Sequence, residues 1–292
     1  MEQRPFGQTG LSTSVLGFGA GQIGDASLSE AQADRLLNSV LDAGITLLDT
    51  ARGYGLSEER IGRHVAHRRD AFVLSTKVGY GVEGMPDWTY DTILAGIDAA
   101  RLRMRTDLID IVHLHSCPQG VLEHNGVLDA LNEAKHQGKI RIAAYSGEND
   151  DLAWVIRSGR IGGVQTSVNV FDQRDVNGVL TEARAHGMGI IAKRSIANAP
   201  WRFDEQPHGH YCETYWHRMQ TMNLTPDLPW LETALRFVVW HANVDCALVG
   251  TTNIVHLMQN IALVNKGPLP EDAVTDIRSA FRTHGALWDG QV

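Results

Sequence analysis

The chain is poor in several features that would place it outside the ordinary globular enzymes. Its three cysteines, Cys117, Cys212 and Cys246, stand far apart in 292 residues and form no CxxC pair, which argues against a disulfide framework or a zinc site. No Pro- or Ser-rich tract and no low-complexity segment divides it. No stretch approaches the roughly 18 apolar residues that cross a bilayer. The start, Met1-Glu2-Gln3-Arg4, lacks the apolar run of a secretory signal, so a cytoplasmic location without a membrane partner is expected. Basic charge is scarce as well: 26 Lys and Arg against 34 Asp and Glu give a formal net charge of -8. That balance disfavours nucleic acid as a general partner but leaves room for a local basic pocket around a small anion. A complete GxGxxG is also missing, since Gly17-Phe18-Gly19-Ala20-Gly21 lacks its spacing.

What is present is core-forming material, 43% hydrophobic and 21% charged. It is arranged as an alternation. Short apolar segments at residues 15–18, 46–49, 72–77, 109–115, 140–146, 164–168, 189–194 and 246–250 read as eight strands. Between the first two, Ala33, Leu36, Leu37, Val40 and Leu41 share one helical face, Ser27 and Glu30 fit a capping box, and Gly44 fits a C-terminal stop. Further helices are expected over 58–66, 91–103, 127–137, 150–158, 176–186, 230–241 and 254–264, with Pro229 suited to the first helical position of its helix. Strand–helix units repeating at roughly 25 to 35 residues imply parallel strands with right-handed crossovers. Eight of them make a (β/α)8 TIM barrel in one domain over residues 1–292, with an open doubly wound sheet as the alternative. Two segments exceed the barrel. Residues 4–14, with Gly7-Gln8-Thr9-Gly10 at the turn, read as a hairpin that plugs the barrel bottom. Residues 195–228 form a long loop after the seventh strand carrying Trp201, Phe203, Tyr211, Tyr215 and Trp216, either a substrate or cofactor lid or a packed surface excursion. A last helix is expected in the tail through Arg282, followed by Trp288 at the same rim.

Polar residues gather where the strands end, at Asp49, Lys77, His115, Ser146, Gln165, Lys193 and Arg194. In a barrel these ends converge. Strand alternation puts Leu47 and Asp49, then Val73, Ser75 and Lys77, then Ile111, His113 and His115 on inward faces. Burying Asp49 or Lys77 alone costs several kcal/mol, so mutual pairing is expected. A phenol with an ordinary pKa of about 10 is a poor acid near neutrality. Tyr54 follows Asp49 closely, and a lysine ammonium beside it favours the phenolate. His115, nearer its strand end, is expected to donate to a substrate oxygen or relay a proton, and His113, two residues deeper, to be a core histidine. Gly250-Thr251-Thr252-Asn253 at a strand-to-helix junction offers backbone donors and a helix N-terminus to an anion. Trp88 and the aromatic loop around Trp201 are candidate walls of an apolar or sugar-stacking substrate pocket.

The blocks Leu47-Leu48-Asp49-Thr50-Ala51-Arg52-Gly53-Tyr54-Gly55 with Ser57-Glu58, Leu74-Ser75-Thr76-Lys77 and Asp110-Ile111-Val112-His113-Leu114-His115 resemble signature segments of the aldo-keto reductase family. The resemblance runs from Gly10-Leu11 and Leu16-Gly17-Phe18-Gly19 to Leu248-Val249-Gly250-Thr251-Thr252 before Asn260, nearly the whole chain. It implies a metal-independent (β/α)8 reductase with a nicotinamide cofactor and a tetrad of Asp49, Tyr54, Lys77 and His115. Tyr54 would be the general acid, tuned by Lys77 and Asp49, and His115 would orient the carbonyl. Ser146 and Gln165, with Asn169, would face the carboxamide of the cofactor. Where the family usually stacks an aromatic residue on the nicotinamide, this chain has Lys193-Arg194-Ser195, a cation pair suited to the pyrophosphate. Members that prefer NADPH often hold its 2′-phosphate with Lys and Arg where this chain has Gly250 and His256; NADP is the first expectation, NAD the alternative, and Asn260 would meet the adenine end. The expected partner is a small-molecule aldehyde, ketone, sugar or alcohol, and the expected assembly a monomer or small homo-oligomer. Two other readings are a cofactor-binding regulatory protein of the same fold without useful turnover and a lyase or isomerase using Lys77 as a Schiff base. Pairing with Asp49 would keep Lys77 protonated and disfavours the latter.

Overall fold

Period-2 alternation along short apolar strands sends one set of side chains into a ring and the other under the helices around it. The computed structural model describes residues 1–291 and closes that ring from eight parallel strands. A hairpin of β1 (Gln3–Pro5) and β2 (Ser12–Ser14) precedes β3 (Leu16–Gly19), β4 (Leu47–Asp49), β5 (Val73–Val78), β6 (Ile109–His115), β7 (Ile140–Ser146), β8 (Gly163–Ser167), β9 (Gly189–Lys193) and β10 (Cys246–Val249). The strands lie in sequence order, and β10 pairs with both β9 and β3 to complete the barrel.

Leu47, Ile111, Ile142, Ala144, Ile191 and Leu248 form the inner core, while Leu48, Leu74, Val112 and Leu114 join the larger core under the helices. Strand register then sets the polar ends side by side. Asp49 lies next to Ser75, Lys77 next to His113, His115 next to Ser146, Ser146 next to Gln165, and Ser167 next to Lys193.

The hairpin plugs the bottom as its pattern predicts. Phe6 is fully buried and belongs to the inner core. Glycine at 189 makes room for it, since a Cβ there would lie 2.4 Å from the Phe6 ring. At the turn, Gly7 has φ 53° and donates its N–H to Asp245 Oδ2 at 3.1 Å.

Helix Glu30–Asp42 starts later than its expected cap. Ser29 and Gln32 form the capping box, while the Ser27 N–H donates to Asp25 Oδ1 at 2.8 Å. Glu30 cannot cap because Arg60, Arg63 and His64 hold its carboxylate. The helix expected over 176–186 begins only at Val179, because Gly178 has non-helical angles, φ -115° and ψ -114°. Pro229 stands at the cap of Trp230–His241 rather than inside it. Two helices without a clear sequence signal, Gln119–His124 and Glu213–Met222, fill the loops after β6 and β9, and the tail helix is Glu271–His284. Among the described residues, no helix is long and apolar enough to cross a membrane.

Candidate active site

The Lys77–Asp49 pair is the fixed point at the C-terminal mouth. Lys77 Nζ donates to Asp49 Oδ2 at 2.6 Å and to the Thr50 carbonyl at 2.9 Å. Asp49 Oδ1 accepts from the Ser75 hydroxyl at 2.8 Å and the Gln165 amide at 3.0 Å. Both charges are buried, 1% and 3% exposed, so their hydrogen bonds replace water almost completely. Burial alone would push the Asp49 carboxyl up and the Lys77 ammonium down. Their mutual attraction, helped by His113 on Asp49 and Tyr54 on Lys77, reverses both, and Asp49 lies below and Lys77 above its ordinary value.

Tyr54 sits on the turn that follows β4, half-exposed to the mouth, with the Lys77 ammonium 4.9 Å from the centre of its ring. Two glycines fix that turn. A Cβ on Gly24 would fall 1.6 Å from the Tyr54 carbonyl oxygen, and Gly55, at φ 54°, packs against Gly24 from the other side.

The two histidines separate as the strand pattern implies. His113 is fully buried, with Nε2 3.1 Å from Ser75 Oγ. Because Ser75 gives its proton to Asp49, its oxygen accepts from His113. Burial holds the His113 pKa down at about 4. His115 lines the open cavity, with Nδ1 2.6 Å from the Tyr80 hydroxyl and its ring edge-on to Tyr54 at 6.1 Å. Burial first, then the Lys77 and Lys193 ammonium groups, push its pKa to about 3, so it is a neutral imidazole near pH 7.

The cavity over these groups has a volume of about 870 Å³. It brings together Asp49, Tyr54, Lys77 and His115 with Ser146, Gln165, Lys193, Arg194, Gly250, Thr251, Thr252, His256 and Asn260. Trp201 lines it too. Trp88 does not. Its indole packs so closely on Gly79 that a Cβ there would lie 2.1 Å away, and its ring meets Tyr80 edge-on at 5.9 Å. Trp88 therefore braces a loop behind the mouth instead of forming the pocket wall expected from sequence. Asn169 is also turned away, giving its amide to the Arg194 carbonyl at 3.2 Å and accepting from the Phe171 N–H at 2.9 Å. The long loop divides its work: Trp201, Arg202, His210 and Tyr211 face the cavity, whereas Tyr215 is buried and Trp216 bonds the Phe203 carbonyl at 2.9 Å.

Three residues without a sequence signal shape this site. Glu148, buried just past the end of β7, takes Lys193 Nζ at 3.1 Å and Arg194 Nη1 at 3.7 Å, along with the Ser167 N–H at 3.0 Å. Arg194 also donates to Ser167 Oγ at 2.8 Å and to the Tyr211 hydroxyl at 2.9 Å. The expected cation pair is thus anchored to an internal carboxylate. Burial lowers the Lys193 pKa against the pull of Glu148. Gln22 is the second residue: a Cβ at Gly250 would lie 2.1 Å from Gln22 Oε1 and 2.6 Å from the Gly19 carbonyl, so position 250 has no room for a side chain as the cavity stands. Tyr80, against His115, is the third. Beyond Gly250, Asn253 caps helix Ile254–Val264 by accepting from the Val255 N–H at 2.8 Å, and Asn260 is buried on that helix at the cavity edge. Among the described residues, Lys77, Lys193, Arg194 and Arg202 line the cavity against Asp49 on its wall and Glu148 behind Lys193 and Arg194, so cations outnumber carboxylates there in a chain of formal charge -8. That local excess of positive charge favours an anionic ligand.

The fold is a (β/α)8 barrel with a polar cavity at the C-terminal mouth of its strands. The model of the aldo/keto reductase family matches residues 15–282, and the chain belongs to that family. Its relatives include an uncharacterised oxidoreductase of Bacillus subtilis, 25% identical, covering 96% of both chains. D-threo-aldose 1-dehydrogenase of a Pseudomonas species is 26% identical, over 86% of this chain and 89% of that protein. L-galactose dehydrogenase of Arabidopsis thaliana is 23% identical, over 91% and 89%. Among solved structures, the holo form of an aldo-keto reductase from Bacillus halodurans superposes with a TM-score of 0.82 at 26% identity, covering 96% of both chains.

Proposed function

We propose that the protein transfers hydride between a nicotinamide dinucleotide and an aldehyde, ketone or sugar carbonyl, with Tyr54 as general acid in reduction and general base in oxidation. The observation that carries this reading is the buried Lys77–Asp49 pair at 2.6 Å with its ammonium 4.9 Å from the Tyr54 ring, at the mouth of a cationic cavity. The residues present fit such a cofactor. The cavity volume lies within the roughly 300–1,000 Å³ of small-molecule and cofactor sites. Gly19 and Gly250 leave bare backbone along it, and Thr251 and Thr252 lead into the N-terminus of helix Ile254–Val264, where an anion is favoured. Ser146 and Gln165, bonded to each other at 2.9 Å, offer donors and acceptors that suit an amide, and Lys193, Arg194, His256 and Asn260 line the rest of the cavity. Bound there, the nicotinamide would supply or accept the hydride.

The chain's own residues handle the proton and the charge. Tyr54 gives its hydroxyl proton to the carbonyl oxygen, and the Lys77 ammonium stabilises the phenolate left behind. Asp49, held by Ser75 and Gln165, keeps Lys77 charged, which also opposes a Schiff-base role. Neutral His115 orients the carbonyl by donating one hydrogen bond. Trp201 and Tyr211 on the long loop offer aromatic surface to a sugar or an apolar carbonyl, and the two sugar dehydrogenases among the relatives make aldoses the first substrates to try. NADP is the first cofactor to test and NAD the second. A reducing, cytoplasmic setting suits three unpaired buried cysteines.

The test is the purified protein with NADPH or NADH and a panel of aldehydes and ketones, and with the oxidised cofactors and aldoses, followed by absorbance of the reduced nicotinamide. Turnover that appears with one cofactor and disappears in Tyr54→Phe supports the proposal. Turnover that survives in Tyr54→Phe removes Tyr54 from its role, and a substrate trapped on Lys77 by borohydride would replace the mechanism with a Schiff base.

A further inference from the structure

We infer that Tyr80 is a positioning residue that sets the tautomer of His115, so that the imidazole presents Nε2–H, and not a lone pair, to an oxygen in the cavity. Its catalytic meaning rests on the proposed hydride transfer; the tautomer itself does not. The Tyr80 hydroxyl lies 2.6 Å from His115 Nδ1, and the two rings stack at 5.6 Å with an interplanar angle of 25°. Neither the Tyr80 hydroxyl nor His115 Nε2 has another hydrogen-bond partner among the described residues. A neutral imidazole has one N–H and one acceptor nitrogen, and an imidazole nitrogen accepts far better than a phenol oxygen. The phenol proton therefore goes to Nδ1, and the imidazole proton is left on Nε2.

The rest of the loop keeps Tyr80 where this bond requires it. The Trp88 N–H donates to the Gly79 carbonyl at 2.8 Å and the Gly81 N–H to Asp87 Oδ1 at 3.0 Å, closing residues 79–88 on themselves. Trp88 adopts φ 60°, a left-handed conformation rare for a bulky residue, which sets its indole against Gly79 and edge-on to Tyr80. On the other side a Cβ at Gly53 would sit 3.1 Å from the Tyr80 hydroxyl, so the phenol abuts the turn that carries Tyr54. Without that hydroxyl the His115 proton is free to move to Nδ1. A lone pair on Nε2 facing an oxygen that gains negative charge would then oppose the reaction.

The experiment is 15N NMR of the ring nitrogens of the full chain, with the His115 signals assigned by their loss in His115→Gln, combined with steady-state kinetics of Tyr80→Phe. In the wild type His115 is expected to carry its proton on Nε2 at pH 7, with Nδ1 shifted as a hydrogen-bonded acceptor. In Tyr80→Phe, which keeps the ring and its Trp88 contact, Nδ1 should move towards a free acceptor. The Nε2–H population should fall, and kcat should drop about 5- to 10-fold, the effect of one neutral hydrogen bond, with cofactor affinity unchanged. A wild-type proton on Nδ1, or a Tyr80→Phe spectrum identical to the wild type, overturns the inference. A shifted tautomer with unchanged kcat overturns its catalytic meaning. Absence of turnover in the wild type would sink the proposed function alone, since the wild-type spectrum decides the tautomer without any activity.

Discussion

Replacing Lys77 by Met should destabilise the barrel strongly, because it strands the Asp49 carboxylate in a site only 3% exposed. Removing one partner of a buried ion pair costs about 3–5 kcal/mol. The remaining donors, Ser75 at 2.8 Å and Gln165 at 3.0 Å, place the loss towards the lower end. For a domain of this size that is a fall of about 5–7 °C in Tm. The loss should depend on pH in a definite sense. Lys77 is held above its unfolded value, so its contribution is complete below about pH 10 and fades only as the pH rises through the folded value. Asp49 is held below its unfolded value, so its contribution is complete above about pH 4 and fades as the pH falls through the folded one. The pair's contribution in the wild type is therefore flat between those limits. In Lys77→Met, burial without a partner pushes the Asp49 carboxyl up, so the deficit should shrink on acidification from pH 8 to pH 5. Urea unfolding of Lys77→Met, Asp49→Asn and the double variant at both pH values measures this. The double variant should recover at least 1 kcal/mol of the summed single losses. Strict additivity, or a Lys77→Met protein within about 1 kcal/mol of the wild type at pH 8, would refute a coupled pair.

Two further outcomes follow from the packing around the site. Phe6→Ala should cost about 3–5 kcal/mol in urea unfolding, because the hairpin plug fills space that Gly163 and Gly189 leave open and nothing nearby can replace its ring. Glu148→Gln should leave Lys193 and Arg194 without their shared carboxylate and weaken or redirect cofactor binding by about tenfold, a shift that calorimetric titration would detect; unchanged affinity and unchanged stability together would show that the 3.1 Å contact is idle.

Much of this architecture is written in local pattern. The strands at 109–115 and 140–146 coincide with their sequence segments end to end, since both are seven-residue runs buried along almost their whole length. The other strands shift by one residue at one or both ends, where the chain runs into a turn and periodicity has little to grip. The cap of the first helix moves to Ser29 because Arg60, distant in sequence, takes Glu30. The convergence of Asp49, Lys77 and His115 on one mouth was legible because alternation and strand-end position are local properties, and the same pattern accounts for His113 lying deeper than His115. Glu148, Gln22 and Tyr80 were not legible, because each acts from a loop whose placement depends on residues far away in the chain. Trp88 was misassigned for the same reason: the left-handed turn at φ 60° that points its indole away from the cavity leaves no trace in composition.

Whether Tyr54 moves the proton that accompanies hydride transfer is decided by single-turnover kinetics of Tyr54→Phe with saturating cofactor. The rate of cofactor oxidation should fall by about 10²–10⁴ with the cofactor Kd unchanged. A Tyr54→Phe enzyme within tenfold of the wild-type rate would contradict it.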